Sequence, residues 1–190
     1  MTSRNVASEP QARTAPPVTA QWLERAALHY LERYGASSEM LRRTLRRRVD
    51  KRARARGEEA EPYLPLIEET VARAVRAGLV DDARFAAARL ATLRRRGTST
   101  RGAGAKLAAK GIDRTLIAAT LAAEEEEAGE SRDHELEAAR AYARRRRLGP
   151  FRPAADRAER RARDLAAMAR AGFSIGLARD VIEAGPESES

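Results

Sequence analysis

The sequence predicts an all-α protein: an elongated, curved array of three tandem three-helix repeats. Apolar residues recur at steps of three and four along most of the chain, as they do on one face of a helix. Glycines stop these stripes in a repeated local context. No stretch alternates strictly enough between apolar and polar residues to be a strand.

The stripes run in order. Leu23, Ala27, Tyr30 and Tyr34 form the first, and Met40, Leu41 and Leu45 begin the second. Leu64, Ile67, Val71 and Val75 form the third. Ile117 with Leu121, then Leu136 with Ala139 and Ala143, and then Ala158, Ala162, Leu165 and Ala169 continue the period, which Ala178 and Ile182 close. Helices are expected at about 20–34, 37–56, 64–77, 81–96, 99–110, 113–127, 131–147, 154–171 and 174–184. They group as 19–80, 81–128 and 129–184, a degenerate repeat whose Ala-rich units would stabilise one another through neighbours.

Three glycine motifs punctuate these groups: Gly78-Leu79-Val80-Asp81, Gly111-Ile112-Asp113 and Gly172-Phe173-Ser174. In each, the glycine suits the left-handed position past a helix end. The apolar residue is expected to pack back on the last turn, and the Asp or Ser to cap the next helix. Pro62 and Pro65 suit a helix start, while Pro150 and Pro153 break the chain between two helices. Asp50 to Glu61 looks like an insertion, with an over-long exposed helix end and a loop. Residues 1–18, with Pro10, Pro16 and Pro17, and residues 185–190 are expected to be disordered tails.

The 190 residues carry 37 Lys+Arg against 28 Asp+Glu, a net charge of +9. Only Lys51, Lys106 and Lys110 are lysines. Arginine presents forked donors that suit carboxylates and phosphates, although a GC-rich genome also favours it. The charge points to a polyanionic partner, either nucleic acid or an acidic protein surface. With no cysteine, a disulfide framework, a Cys zinc site and a thiol nucleophile are excluded. No apolar run approaches a membrane span, and no secretory signal core is visible, so a soluble cytoplasmic protein is expected.

The stretch Gly78-Leu79-Val80-Asp81-Asp82-Ala83-Arg84-Phe85-Ala86 resembles the most recognisable segment of the RecX family. Ala26-Ala27-Leu28-His29-Tyr30-Leu31, followed by Ser37, Glu39, Leu41 and Leu45, is similar to that family's opening helix pair. Leu107-Ala108-Ala109-Lys110-Gly111-Ile112 and Arg170-Ala171-Gly172-Phe173-Ser174 resemble its later turns. Together they cover about residues 20–184. One departure is Arg101-Gly102-Ala103-Gly104-Ala105, where the family usually carries a basic and aliphatic helix. The resemblance implies a regulator of RecA in DNA repair, homologous recombination and the SOS response. Such a regulator would act as a monomer, binding the groove of the RecA filament on single-stranded DNA and modulating ATP turnover, filament growth and strand exchange. The competing expectation is a general Arg-rich DNA-binding protein with helix-turn-helix-like modules that acts on DNA alone.

Three basic clusters are candidate partner contacts. The first holds Arg42, Arg43, Arg46 and Arg47, followed by Arg48, Lys51, Arg52, Arg54 and Arg56; a solvated face opposite Leu41 and Leu45 is the plainer reading. The second is Arg94, Arg95 and Arg96, with Arg101 and Lys106 beyond. Cations at a helix C-terminus also complement its dipole without any partner. The third, the densest, is Arg144, Arg145, Arg146 and Arg147, with Arg157, Arg160, Arg161 and Arg163 after the proline break. Asp156, Glu159 and Asp164 could pair with some of these as weak surface ion pairs. Glu124 to Glu127 point in different directions on a helix and cannot converge on one metal. They read as a solvated end or as a contact with a basic module of the same chain.

No catalytic or cofactor site is expected. Gly102-Ala103-Gly104-Ala105-Lys106 lacks the Gly-Lys-Ser/Thr order and the preceding strand of a phosphate loop. His29 and His134 stand alone, and no nucleophile–base pair is visible. Trp22, Tyr30, Tyr34, Phe85 and Phe173 fit core packing better than base stacking. The motif residues Gly78, Leu79, Asp81, Asp82, Phe85, Gly111, Ile112, Gly172 and Phe173 are read as structural. Asp81 is expected to cap the helix that carries Phe85, with Asp82 adding negative charge at the same end. Replacing Asp81 with Ala should lower stability by about 1 kcal/mol, visible as a fall in the thermal midpoint. An unchanged midpoint would remove the cap.

Overall fold

The computed structural model describes residues 15–128 and 133–184, and every regular element among them is helical. The helices are α1 (Ala20–Leu31), α2 (Ser38–Arg54), α3 (Leu64–Arg76), α4 (Asp82–Arg95) and α5 (Thr100–Ala109). They continue as α6 (Arg114–Ala128), α7 (His134–Arg146), α8 (Ala154–Ala171) and α9 (Ile175–Glu183). Short 3-10 turns at Glu61–Tyr63 and Gly149–Phe151 precede α3 and α8. The tails expected at 1–14 and 185–190 lie outside the described residues. Residues 15–18, assigned to the first tail from sequence, are tied down. Val18 is buried, and the carbonyls of Ala15 and Pro16 accept hydrogen bonds from Arg56 and Arg52.

Side chains start most of the helices. Thr19, Asp81, Ser99, Asp113 and Ser174 each accept the N–H three residues on, as N-caps do. Asp133 accepts from both Glu135 and Leu136. The two without such a cap, α3 and α8, begin at prolines instead: Pro65 in the first turn and Pro153 at the cap. Asp82 does more than load the start of α4. Its carboxylate accepts the N–H (2.7 Å) and the hydroxyl (2.6 Å) of Ser38, at the start of α2.

The helix ends follow one pattern as well. Leu79, Thr98, Ile112, Leu148 and Phe173 each return their N–H to a carbonyl five residues back, the closing bond of a Schellman turn. Ile112 and Phe173 are buried as expected. Leu79 is not: it is 51% exposed, and Val80 takes the buried position. At Gly78 the chain leaves α3 with its next residue at the rim of an apolar groove between α1 and α3, so the inward side chain comes one residue later. At the end of α7 the left-handed position is filled by Arg147 (φ 53°), the one non-glycine with positive φ among the described residues.

The chain divides into two compact units. One holds the described residues up to Tyr34 together with Leu41–Leu79; the other holds Gly35–Met40 and the described residues from Val80 onward. In the first unit α1 packs on α3, and Leu23, Leu41, Leu45, Val49, Ile67 and Val71 are buried. The insertion is pinned within it, because Glu58 accepts from Arg56 (2.7 Å) and from the Tyr63 hydroxyl (2.7 Å). The second unit has small clusters. Ala86, Leu107 and Ile112 form one, Leu90, Leu93 and Ala103 another. A third collects Ala138, Ala139, Ala143, Met168, Phe173 and Val181.

These small clusters are joined by close backbone approach. Gly97 has φ 69°, and a Cβ built there would lie 2.4 Å from the Tyr142 nitrogen and 2.8 Å from the Ala138 carbonyl oxygen. The α4–α5 turn therefore rests directly on the backbone of α7. Two residues on, the Ser99 hydroxyl donates to the Ala171 carbonyl at the end of α8 (2.7 Å). One of the two glycines of α5 has a steric reason: a Cβ on Gly102 would crowd Ser99 and Thr98, whereas one on Gly104 would make only an ordinary contact with Ile117 at 3.7 Å.

An ion cluster locks the same joint. Arg94 reaches Glu124 of α6 (2.8 Å) and Glu135 of α7 (2.5 Å), and its side chain is only 9% exposed. The same Glu135 oxygen accepts the N–H and hydroxyl of Thr100. Burial opposes the charge of Arg94, but the hydrogen bonds to Glu124 and Glu135 outweigh it and hold its pKa above the ordinary arginine value.

Two outcomes follow for stability. Gly97→Ala combines left-handed strain with a backbone clash and should cost upward of about 3 kcal/mol. Gly78→Ala has the same φ but open space at the Cβ, and should cost about 1 kcal/mol. Equal losses in denaturant melts would contradict the close approach. Arg94→Met strands two carboxylates and should cost about 3 kcal/mol, partly restored by adding Glu124→Gln and Glu135→Gln; a neutral Arg94→Met would show that the cluster does not hold the joint.

Candidate polyanion-binding cleft

The three basic clusters meet different fates. On α2, Arg42 is engaged by both oxygens of Glu68 (2.8 and 3.0 Å), while Arg43, Arg46 and Arg47 are exposed. Arg48 donates to the Ala26 carbonyl, and Arg52 lies over the Trp22 ring at 4.2 Å. Half of that stripe is therefore working inside its own unit.

The second cluster is split. Arg94, named from sequence as a partner contact, is the centre of the ion cluster, its side chain 9% exposed and paired with Glu124 and Glu135. Arg95 and Arg96 are exposed on the following turn, and Arg101 is exposed on α5. Lys106 points elsewhere. Its ammonium approaches the Thr98 hydroxyl (3.3 Å) on the wall of a cleft.

That cleft runs between α5, α7 and α8. A first lobe of about 360 Å³ is bounded by Gly97, Thr98, Gly102, Lys106 and Tyr142. A second of about 520 Å³ is bounded by Leu148, Arg152, Arg160 and Arg163. The lobes share Arg145, Arg146, Ala167 and Arg170, so they form one continuous trough. Its α8 wall is a single stripe. Arg160, Arg163, Ala167 and Arg170 are spaced by three, four and three residues, which places them on one helix face. Arg145 and Arg146 stand opposite on the last turn of α7, and the Arg145 guanidinium lies 5.8 Å over the Tyr142 ring.

Among the described residues the trough contains a single carboxylate, and it is already neutralised. Asp164 is 1% exposed, so it is not the surface partner expected from sequence. It accepts the Gly149 N–H (2.9 Å) and a guanidinium N–H of Arg152 (2.9 Å). The hydrogen bonds to Asp164 raise the pKa of Arg152 above the ordinary arginine value. Arg160 has a loose ion pair with Glu159 at 3.5 Å. Arg145, Arg146, Arg163 and Arg170 make no carboxylate salt bridge among the described residues. The lining is therefore a concentration of uncompensated positive charge in a concave surface, the arrangement that focuses field on an anion.

The remaining members of the third cluster stand apart. Arg161, next to Arg160 in sequence, turns away and pairs with Glu183 of α9. Arg144 lies over the Phe151 ring at 5.2 Å, Arg147 is exposed at the left-handed turn, and Arg157 donates to the Arg152 and Pro150 carbonyls. Arg170 and Tyr142 were missed as site residues from sequence. The three-and-four spacing from Arg160 to Arg170 was the available signal. Among the described residues no group of His, Cys, Asp or Glu could hold a metal ion. No helix there is long and apolar enough to cross a membrane.

Comparison with known proteins gives the architecture a family. The family model described as "RecX, second three-helix domain" matches residues 81–121, which span α4, α5 and the first half of α6. A curated protein of Myxococcus xanthus (strain DK1622), named Regulatory protein RecX, is 44% identical over 170 residues, covering 89% of this chain and 88% of its own. A second Regulatory protein RecX, from Agrobacterium fabrum (strain C58), is 29% identical over 161 residues, 85% of this chain and 82% of its own. No solved structure matches the chain. With so much of both chains aligned at such identity, and with the all-helical architecture in place, this chain belongs to the RecX family.

Proposed function

We propose that the chain is a stoichiometric regulator of the RecA nucleoprotein filament. As a cytoplasmic monomer made of three three-helix repeats, it engages the filament groove on single-stranded DNA and restrains ATP turnover, filament growth and strand exchange. Family membership supports the class of function. The observation that carries the contact is the trough between α7 and α8, which Arg145, Arg146, Arg163 and Arg170 line with no acidic partner among the described residues. An acidic protein groove or a phosphate chain would relieve their mutual repulsion. The exposed Arg46 and Arg47 of α2 supply a second, separate basic face.

The test is RecA ATPase activity on single-stranded DNA during titration with this protein. Inhibition well below the amount needed to coat the DNA is expected. Inhibition that sets in only at full coating would mean competition for DNA alone, and would overturn direct action on the filament. R145E/R146E should raise the amount needed for half-inhibition about tenfold, equivalent to about 1.4 kcal/mol. Inhibition by that variant at wild-type amounts would remove the trough from the contact.

A further inference from the structure

We infer that the α7–α8 trough, and not the basic face of α2, is the element that binds nucleic acid directly, and that its ligand is the phosphate backbone of a single strand. The inference rests on the polyanion reading of the trough given above and names which polyanion it takes.

The charge pattern separates the two basic faces. On α2 the arginines are interleaved with acids and intramolecular work: Arg42 is held by Glu68, Arg48 by a carbonyl, and Asp50 lies beside Arg47 and Arg54. Such a mixed face suits a protein surface of mixed charge. In the trough, Arg145, Arg146, Arg163 and Arg170 have no acidic partner among the described residues, and Asp164 is occupied by Arg152 and a backbone N–H. Its lining is dominated by arginine, with Ala167, Leu148 and Tyr142 as the apolar and aromatic contributors, so charge and not a dry apolar centre distinguishes it. Forked guanidinium groups match phosphate oxygens.

Shape then chooses a strand over a duplex. The lobes are continuous, and the arginine stripe on α8 from Arg160 to Arg170 runs about 15 Å along the helix. That length accommodates successive phosphates and exceeds what one would need. Walls stand on both sides, with residues of α7 and α8 lining both lobes and Lys106 lining one of them. A duplex is read by an element that protrudes into its groove, and a trough offers none. A flexible single strand can lay its backbone along such a trough, as positively charged grooves track the backbone of single strands. Arg145 is held over the Tyr142 ring, so at least one guanidinium is positioned before the strand arrives.

The experiment omits RecA, so its failure is distinct from failure of the filament reading, which the ATPase titration tests. Binding of a fluorescent oligothymidylate to the full chain is followed by anisotropy across a salt series, beside a duplex of equal length. The proposal expects tighter binding of the single strand and, with four phosphates neutralised, a log–log salt slope near about −3. R163E/R170E lies on an exposed face and should weaken binding at least tenfold and flatten the slope, with an unchanged helical circular dichroism spectrum and melt. R46E/R47E should bind within about twofold of wild type. The proposal is overturned if the single strand fails to bind at about 50 mM salt, if the duplex binds equally well, or if R46E/R47E loses as much as R163E/R170E.

Discussion

The second unit depends on one contact without side chains: the glycine turn after α4 lying against the backbone of α7. At 2.4 Å from a notional Cβ to the Tyr142 nitrogen, no other residue fits at Gly97 without displacement. That approach brings Arg94 within reach of Glu135 and Ser99 within reach of the last carbonyls of α8. With α5 held against both helices, the ends of α7 and α8 are left flanking an open trough. The cationic surface is thus a consequence of how the joint closes.

The energetics of this unit are those of small residues. An Ala methyl buries little area, so Ala138, Ala139, Ala143 and Ala178 contribute mainly by letting helices come close. What they do not supply in burial is made up by hydrogen bonding at the helix ends. Side-chain caps and Schellman turns recur through the unit, and the Arg94 and Asp164 networks leave their buried charges compensated. The first unit is built differently, around branched and larger side chains such as Leu41, Leu45, Val49 and Ile67. Its basic helix uses several arginines for internal contacts, whereas Arg146, Arg163 and Arg170 line the trough without a carboxylate partner among the described residues.

Much of the fold was legible in the sequence. Apolar steps of three and four, with the glycine and capping marks between them, placed the helices to within a few residues, and the Asp81, Asp113 and Ser174 caps appear as hydrogen bonds. The RecX resemblance of residues 78–86 pointed to the family that the whole-chain comparison shows. The candidate site was less legible, because runs of arginine were read as clusters. Successive helical residues point about 100° apart, so a run distributes its members among core, partner and solvent. Arg94 turned inward while Arg95 stayed outside, and Arg160 faces the trough while Arg161 pairs with Glu183. Glu124 left the acidic run for Arg94 for the same reason. Periodicity would have added Arg170 to Arg160 and Arg163, whereas the Arg94–Glu135 pairing depends on a tertiary approach that no local pattern encodes.

The account stands or falls on the trough being the surface that meets the polyanion. Hydrogen–deuterium exchange of the chain, alone and on a RecA filament assembled on single-stranded DNA, addresses this directly. The trough account predicts slowed exchange at the end of α7 and along α8, around Tyr142 to Leu148 and Arg160 to Gly172. Slowing confined to α1–α3, with those segments unchanged, would contradict it.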